Sequence, residues 1–230
     1  MEHIGKTLEK FASQRTIADQ GSKEESMAER AVGETMAKLE RLNISSLSHT
    51  LESFDKVKGT EEAYRTFSEL AEGNLGKKFV LCYGTTGCGK TRLIEGLLVA
   101  WARRGIWCRY QTFSQLMRHL KQAMRAGSMP PYDAVFERIC GRERLIVDDV
   151  GMGTIGSDWE MAELEDIINE RYQLRFRNDG KVTILATNRD IKELPDRIVS
   201  RFYDPEVGVI VFISAGDYRK QEWLKRQKKA

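Results

Sequence analysis

One stretch of this sequence has the residue types and spacing needed to hold the phosphates of a nucleotide. Residues 84–91 read GTTGCGKT and match the pattern GxxxxGK[S/T] in full. Glycines let the backbone bend so that successive N–H groups point at phosphate oxygens. Lys90 should reach the β- and γ-phosphates, and the Thr91 hydroxyl should ligate Mg²⁺. We therefore predict a site for ATP and Mg²⁺ that is formed by Gly84, Thr85, Thr86, Gly87, Cys88, Gly89, Lys90 and Thr91.

A pair of carboxylates forms the second candidate. Asp148 and Asp149 directly follow an apolar run at residues 145–147. Asp148 would hold Mg²⁺ through water, and Asp149 would orient or activate the water that attacks the terminal phosphate. The alternative is an acidic turn after a core strand, without a role in chemistry.

Polar side chains further along the chain would complete a site for hydrolysis. Asn188, with Thr187 as the second choice, ends another apolar run at a place that resembles the sensor 1 position of P-loop ATPases, where an amide contacts the γ-phosphate or the attacking water. The alternative is a helix N-cap, where Asn is also favoured. Arg201 and Arg219 would reach the charge that develops in the transition state, and such an arginine can come from a neighbouring molecule. A surface ion pair is the alternative for either arginine.

These segments need a scaffold that brings them together, and the hydrophobic pattern predicts one. Apolar runs predict strands at residues 79–83, 106–110, 144–148, 182–187 and 209–212, and helical spacing predicts helices at 27–42, 61–72, 90–103, 114–125 and 159–177. Strands that alternate with helices indicate an α/β protein whose five-stranded parallel sheet is flanked by helices. Ligands of such sheets bind at the carboxyl ends of the strands, where the candidate residues fall.

The bulk composition limits the class of protein. The 230 residues suit one α/β domain with a short appendage. The net charge of +3 is too small to indicate nucleic acid by itself, so a DNA contact would need a local patch. The four cysteines and three histidines show no zinc spacing, and Cys82 and Cys108 lie in apolar runs. Buried thiols, no signal peptide and no membrane-length apolar run predict a cytoplasmic protein without membrane contact.

Taken in order, the motifs resemble those of AAA+ helicase loaders of the DnaC and DnaI type and the related IstB-type ATPases. The matching stretches are residues 50–54, 84–91, 145–151, 164–172, 186–188, 196–201 and 217–219. The resemblance implies a P-loop NTPase core in which Asp148 and Asp149 belong to the Walker B strand. It makes Asn188 sensor 1, Arg219 sensor 2 and Arg201 an arginine finger that acts in trans. AAA+ proteins usually carry glutamate in place of Asp149, and because aspartate is shorter we expect slow, Mg²⁺-dependent hydrolysis that oligomerisation or DNA stimulates.

The resemblance also implies a division of the chain and a set of partners. Residues 1–48 would be a helical or flexible segment that docks on a hexameric replicative helicase. Residues 49–230 would be the AAA+ ATPase domain, with a lid that is reduced or absent. The protein would form an oligomer around single-stranded DNA and load the helicase, and a short chain of this kind suits a phage origin.

A basic helix face is the candidate contact to DNA. Arg118, Lys121 and Arg125 recur at helical spacing in the predicted helix at 114–125, with Phe113 nearby. Single strands are held by cationic grooves with stacking aromatics, which this face would supply. The alternative is a solvated helix face. The basic tail at residues 225–229 would add nonspecific attraction to phosphates.

Three other functions compete with helicase loading. A transposition helper of the IstB type would bind duplex DNA and recruit a transposase, but its Leu-Asp-Arg-Leu run with histidines near the finger is missing here. A P-loop kinase is less expected, because Asp148 and Asp149 followed by Thr187 and Asn188 are typical of hydrolysis. A DnaA-like initiator is also less expected, because no duplex-binding domain follows the core.

Overall fold

The computed structural model describes residues 48–151, 157–174 and 181–227. The predicted helix at 27–42, nearly all of the predicted docking segment and the end of the basic tail lie outside these ranges. Within them, strands and helices alternate along the chain. The elements are α1 (Glu61–Glu72), β1 (Phe79–Gly84), α2 (Lys90–Arg103), β2 (Arg109–Thr112), α3 (Phe113–Ala123), α4 (Tyr132–Cys140), β3 (Arg144–Val150), α5 (Asp158–Gln173), β4 (Val182–Thr187), α6 (Asp196–Phe202), β5 (Gly208–Ile213) and α7 (Tyr218–Gln227).

The five strands form one parallel sheet in the order β2-β3-β4-β1-β5. This confirms the predicted fold class. The register pairs Tyr83 of β1 with Thr187 of β4, and Thr112 of β2 with Asp148 of β3. Because the strands are parallel, the segments that follow β1, β3 and β4 all leave the sheet at its carboxyl edge.

Each face of the sheet is covered by its own hydrophobic core, because side chains alternate along a strand. On β1, Val80 and Cys82 pack with α1 and α2, whereas Phe79 and Leu81 pack on the other face with α3 to α6. Helices at these two positions explain why the strands read as continuous apolar runs. Cys82 is fully buried, as the sequence predicts, and Cys108 is partly buried against the core beside α2.

The second strand is the clearest error of the sequence prediction. The apolar residues 106–108 were expected to start it, but β2 begins at Arg109. Ile106 donates its N–H to the Trp101 carbonyl at 2.9 Å, which ties it to the last turn of α2. Gly105 takes the left-handed conformation that this turn requires, with φ of 67°. The apolar character of residues 106–108 therefore reflects packing against the core and not strand pairing.

Two helices after β2 also differ from the prediction. Helix α3 ends at Ala123, so Arg125 lies beyond it, and it starts with a capping box between Thr112 and Gln115. Helix α4 was not predicted; its nine residues follow a proline pair, and a short segment of this kind gives little periodicity. Helix α5 begins at a second capping box, Ser157 with Glu160, and the predicted end of that helix lies outside the described residues.

Candidate nucleotide site

The loop at residues 84–89 links β1 to α2 and needs glycine for steric reasons. A Cβ at position 84 would collide with the Ile213 carbonyl oxygen of the neighbouring strand β5. A Cβ at position 87 would collide with the carboxylate of Asp217, and Gly87 has a φ of +78° that L side chains rarely adopt. The loop therefore fits tightly between β5 and the start of α7, with α2 beginning directly after it.

The side chain of Lys90, the first residue of α2, bonds to this loop. That side chain is buried, and Nζ donates to the carbonyl oxygens of Gly84 at 2.8 Å and Thr85 at 2.9 Å. Cys88 Sγ lies 3.5 Å from the same nitrogen. The ammonium group is thus held at the centre of the loop, where the phosphates of a nucleotide would be cradled.

A hydroxyl and a carboxylate meet beside the loop. Thr91 Oγ1 donates to Asp148 Oδ2 at 2.9 Å, and the Tyr110 hydroxyl reaches the same oxygen at 3.4 Å. Asp148 is buried, and burial, followed by the charge of Asp149, raises the pKa of its carboxyl group above the usual value. Mg²⁺ prefers hard oxygen ligands and commonly takes one or two from the protein and the rest from phosphates and water. The pair therefore fits Mg²⁺ bound together with a nucleotide.

A β-bulge determines where Asp149 lies. The register between β3 and β4 shifts between Val147 and Val150, and Asp149 has a φ of 55°, which is left-handed. In a regular strand two consecutive side chains point to opposite faces, whereas a bulge re-aims one of them. Asp149 lines the cleft beside the loop as a result, and its backbone N–H donates to Asp148 Oδ1 at 2.8 Å.

Two residues at the end of β4 have different roles. Asn188 lines the cleft, and its Nδ2 lies 3.5 Å from Asp149 Oδ1. Thr187 is fully buried and supports the bulge: its Oγ1 donates to the Val150 carbonyl at 2.7 Å and accepts the Arg189 N–H at 3.0 Å. Of the two predicted candidates, only Asn188 is therefore placed to contact a ligand.

The start of α7 brings an arginine to the cleft. Asp217 Oδ1 accepts the N–H groups of Arg219 at 2.9 Å and Lys220 at 3.3 Å, which caps the helix. The Tyr218 N–H donates to the Gly87 carbonyl at 3.0 Å, so the helix is attached to the loop. Arg219 lines the same cleft as the loop, Asp149 and Asn188.

The cleft has a volume of about 550 Å³, within the usual range for ligand sites. One of its walls is a segment before α1, of which residues 50–54 match the family in sequence without an assigned role. His49, Phe54, Val57 and Thr60 belong to this wall. Arg92 of α2 fastens the segment by donating to Ser53 Oγ at 2.7 Å, and His49 Nδ1 lies 2.6 Å from Glu95 Oε2, also on α2. This wall faces the loop and is placed to contact a nucleoside.

Arg201 does not reach the cleft of its own chain. It lies on α6, where Nε donates to Asn169 Oδ1 at 3.0 Å and the guanidinium group lies 4.7 Å from the centre of the Tyr172 ring. Arg197, one turn earlier on α6, pairs with Glu165 at 3.2 Å. The structure thus brings Thr91, Asp148, Asp149, Asn188 and Arg219 together around Lys90 and leaves Arg201 elsewhere.

The residues predicted to contact DNA lie on or just beyond α3. Arg118 and Arg125 are exposed, whereas Lys121 forms an ion pair with Glu160 of α5 at 2.7 Å. Phe113 is buried in the core and is not available to stack on a base. Across the described ranges, no helix is both long and apolar enough to cross a membrane.

Comparison with known proteins finds one matching family model and several similar proteins. A family model described as IstB-like ATP binding protein matches residues 6–196. The chromosomal replication initiator protein DnaA of Aquifex aeolicus is 27% identical over 201 residues, which cover 85% of this chain and 47% of that protein. DnaA of Thermotoga sp. (strain RQ2) is 25% identical over 186 residues, or 78% of this chain and 39% of that protein. The chain thus spans less than half the length of these curated relatives.

Two solved structures show the same architecture. AMPPCP-bound DnaA from Aquifex aeolicus superposes with a TM-score of 0.61 at 26% identity, covering 79% of this chain and 55% of that chain. A DnaC helicase loader superposes with a TM-score of 0.59 at 22% identity, covering 73% of this chain and 97% of that chain. The second likeness concerns the fold alone, and both structures carry the same kind of α/β core.

Proposed function

This chain belongs to the IstB-like ATP-binding proteins, and from that premise we propose that it is an ATPase that assembles on single-stranded DNA and loads a replicative helicase. The observation that carries the proposal is that a carboxylate, an amide and an arginine line one cleft with Lys90 and Thr91, while the buried Asp148 carboxylate is bonded to Thr91. That set suits hydrolysis of a triphosphate better than transfer to an acceptor, because the carboxylate and the amide can orient water.

In this proposal each residue has a defined task. Lys90 exchanges its loop carbonyls for β- and γ-phosphate oxygens. Thr91 and Asp148 hold Mg²⁺, which neutralises the charge of the phosphates when bound. Asp149 and Asn188 orient the attacking water between them.

The arginines divide between two molecules. Arg219 contacts the γ-phosphate from its own chain, since it lines the cleft. Arg201 lies on α6, away from that cleft, and serves the cleft of a neighbouring copy. The site is complete only in an oligomer, so hydrolysis depends on assembly. An arginine of this kind contributes roughly 10³–10⁵ in rate.

A mixing experiment tests the shared site. Arg201→Ala and Asp149→Asn should each remove turnover when present alone. Equimolar mixtures should regain activity, because some interfaces then combine an intact Asp149 with an intact Arg201 from the other variant. Full turnover by Arg201→Ala alone would exclude the finger, and mixtures as inactive as the single variants would show that both residues act within one chain.

We propose that the oligomer binds single-stranded DNA. A structure of DnaA has been solved with AMPPCP and single-stranded DNA, and this chain is 26% identical to it. Exposed Arg118 and Arg125 are the proposed contacts, with Lys121 contributing less because Glu160 neutralises it. Charge reversal at Arg118 and Arg125 should weaken binding and flatten its dependence on salt. The same reversal at exposed Arg65, on α1, is the matched control.

Loading is tested with a closed circle of single-stranded DNA, which a ring-shaped helicase cannot thread from an end. The full chain with ATP should increase the amount of hexameric replicative helicase that is retained on the circle. Arg201→Ala should fail to do so. No increase with the helicase, together with ATP-dependent binding of duplex DNA and capture of a transposase, would replace this proposal by transposition.

A further inference from the structure

A second concave site lies at the edge of the sheet opposite the nucleotide cleft. It has a volume of about 380 Å³ and lies between α3, α4, the amino end of β2 and the turn before β3. None of the residues that line it also lines the nucleotide cleft. Its polar lining includes Arg109, His119, Arg138 and Arg142, together with Gln122 and Ser128. We call it the α3–α4 pocket.

The arginines of this pocket have no acidic partner in the part of the chain that the structure describes. Arg109 donates instead to two neutral groups, Gln111 Oε1 at 3.2 Å and His119 Nδ1 at 3.2 Å. An arginine nitrogen can only donate, so His119 Nδ1 accepts in this contact. Burial, and then the charge of Arg109, lower the pKa of the His119 ring below its ordinary value. Burial, and then the charges of Arg142 and Arg138, lower the pKa of Arg109 below its ordinary value. Three cations therefore share one pocket that no carboxylate of the described residues lines.

The described side chains at the pocket also carry more hydrogen-bond donors than acceptors. Gln111 is buried behind Arg109, and its Nε2 has no acceptor among the described residues. Arg138 and Arg142 are exposed, so their guanidinium groups are accessible to a ligand. Like charges at close range repel one another, and a bound anion relieves that repulsion. An anion with several acceptor oxygens fits this arrangement.

We infer that the α3–α4 pocket binds the phosphate group of a nucleotide unit. Guanidinium groups match phosphate oxygens in geometry as well as in charge. The remaining wall is apolar and includes Met129, Val135 and Ile139, with Met129 89% exposed. That wall offers a surface for a sugar or base, which distinguishes a nucleotide from inorganic phosphate. A pocket of this volume holds about one such unit.

The nucleotide unit has two possible sources with the same chemistry. It belongs either to a single strand of DNA or to a free nucleotide. With a strand as the source, the inference rests on the proposed function, because the pocket would be a contact of the assembled protein with DNA. With a free nucleotide as the source, it stands independently of that function.

The experiment compares two probes on the full chain, with saturating AMPPCP to fill the nucleotide cleft. One probe is thymidine 5′-monophosphate, and the other is a short thymidine oligonucleotide without terminal phosphates. The test variant is Arg138→Ala with Arg142→Ala, and the control is Arg65→Ala on α1. Arg142→Gln alone is a milder second variant. Binding of AMPPCP to each variant reports both correct folding and the nucleotide cleft.

The double variant should weaken at least one probe by about tenfold or more, while the control leaves both unchanged. Weaker binding of the oligonucleotide identifies the strand as the source. In that case the slope of log K against log salt concentration should become less steep by about 0.7 per lost phosphate contact. Weakening of the monophosphate alone identifies a free nucleotide. If neither probe distinguishes the double variant from the control, or neither binds the unchanged protein, the inference is wrong. If the unchanged protein does not bind AMPPCP, the proposed ATPase function is wrong instead.

Discussion

At the carboxyl edge of the sheet, Lys90 and Asp148 are buried beside an open cleft, whereas at the amino edge Arg171 is buried among backbone carbonyls. Arg171 has no exposed surface and makes four hydrogen bonds, to the carbonyl oxygens of Cys140, Arg142 and Val182 and to Thr183 Oγ1. These acceptors come from α4, the turn before β3, and β4.

The buried charges at the two edges differ in the partners that surround them. Burial lowers the pKa of Arg171 to about 10, but every acceptor is fixed and the bonds join three segments. At the cleft, burial raises the pKa of Asp148, and its partners Thr91 and Tyr110 are side-chain hydroxyls that a cation can replace. The comparison teaches that a buried charge enclosed on all sides by fixed partners holds the fold together, while a buried charge at or beside a cavity is available for a ligand.

The largest expected effect is on turnover at the carboxyl edge. Asp149→Asn keeps the shape of the side chain but removes the charge that orients water. We expect kcat to fall about 10³-fold, or ~4 kcal/mol, because general-base groups contribute about 10²–10⁴. Affinity for ATP should stay within about threefold, and the melting temperature should not fall. Asp133→Asn, an exposed carboxylate on α4, is the control for steady-state ATPase assays.

An unchanged kcat would remove Asp149 from the chemistry. A large decrease in the melting temperature of Asp149→Asn would show that Asp149 has a structural role like that of Arg171. The proposed difference between the two edges would then be wrong.

The next largest effect is on stability at the amino edge. Arg171→Met removes the donor for all four acceptors and should lower the free energy of unfolding by about 3–5 kcal/mol. Urea unfolding measures it, and the folded fraction should still bind ATP with normal affinity. Arg197→Met, which breaks only an exposed pair with Glu165, should change stability by about 1 kcal/mol or less. Equal stability of the Arg171 and Arg197 variants would contradict the structural role of Arg171.

The smallest effect is expected at Thr187, which links the core to the cleft. Thr187→Val removes the donor to the Val150 carbonyl and the acceptor for the Arg189 N–H. We expect about 1–2 kcal/mol lower stability and about tenfold lower kcat, because the bulge that aims Asp149 loses its support. Thr187→Ser keeps the hydroxyl and should restore both. A stability loss without any change in kcat would separate the bulge from the chemistry.

Sequence patterns predict the carboxyl edge far better than the amino edge. The loop at 84–91 and the acid pair are local motifs, so their positions follow from the strand and helix around them. The bulge is not visible in sequence, because alternation along a strand would have separated Asp148 from Asp149. Because the bulge was not predicted, Thr187 was predicted as the second choice for a ligand contact. In the structure its side chain supports the bulge from inside the core.

Other features depend on contacts between distant segments. An arginine in a helix is normally exposed, so nothing local indicates that Arg171 is buried. The cleft wall that carries His49 and Phe54 is likewise formed by a contact between distant segments. His49 bonds to Glu95 of α2, which lies 46 residues later in the chain. The α3–α4 pocket combines Arg109 with Arg138 and Arg142, which only the packing of α4 brings together.

The most direct test of the central claim is the binding of a fluorescent ATP analogue, with Mg²⁺, to the unchanged protein and to Lys90→Ala. We predict saturable binding by the unchanged protein and an affinity lower by about tenfold to a hundredfold in the variant, with no loss of melting temperature. Absence of saturable binding by the unchanged protein, or equal affinity in Lys90→Ala, would contradict the claim that the loop at residues 84–91 grips a triphosphate.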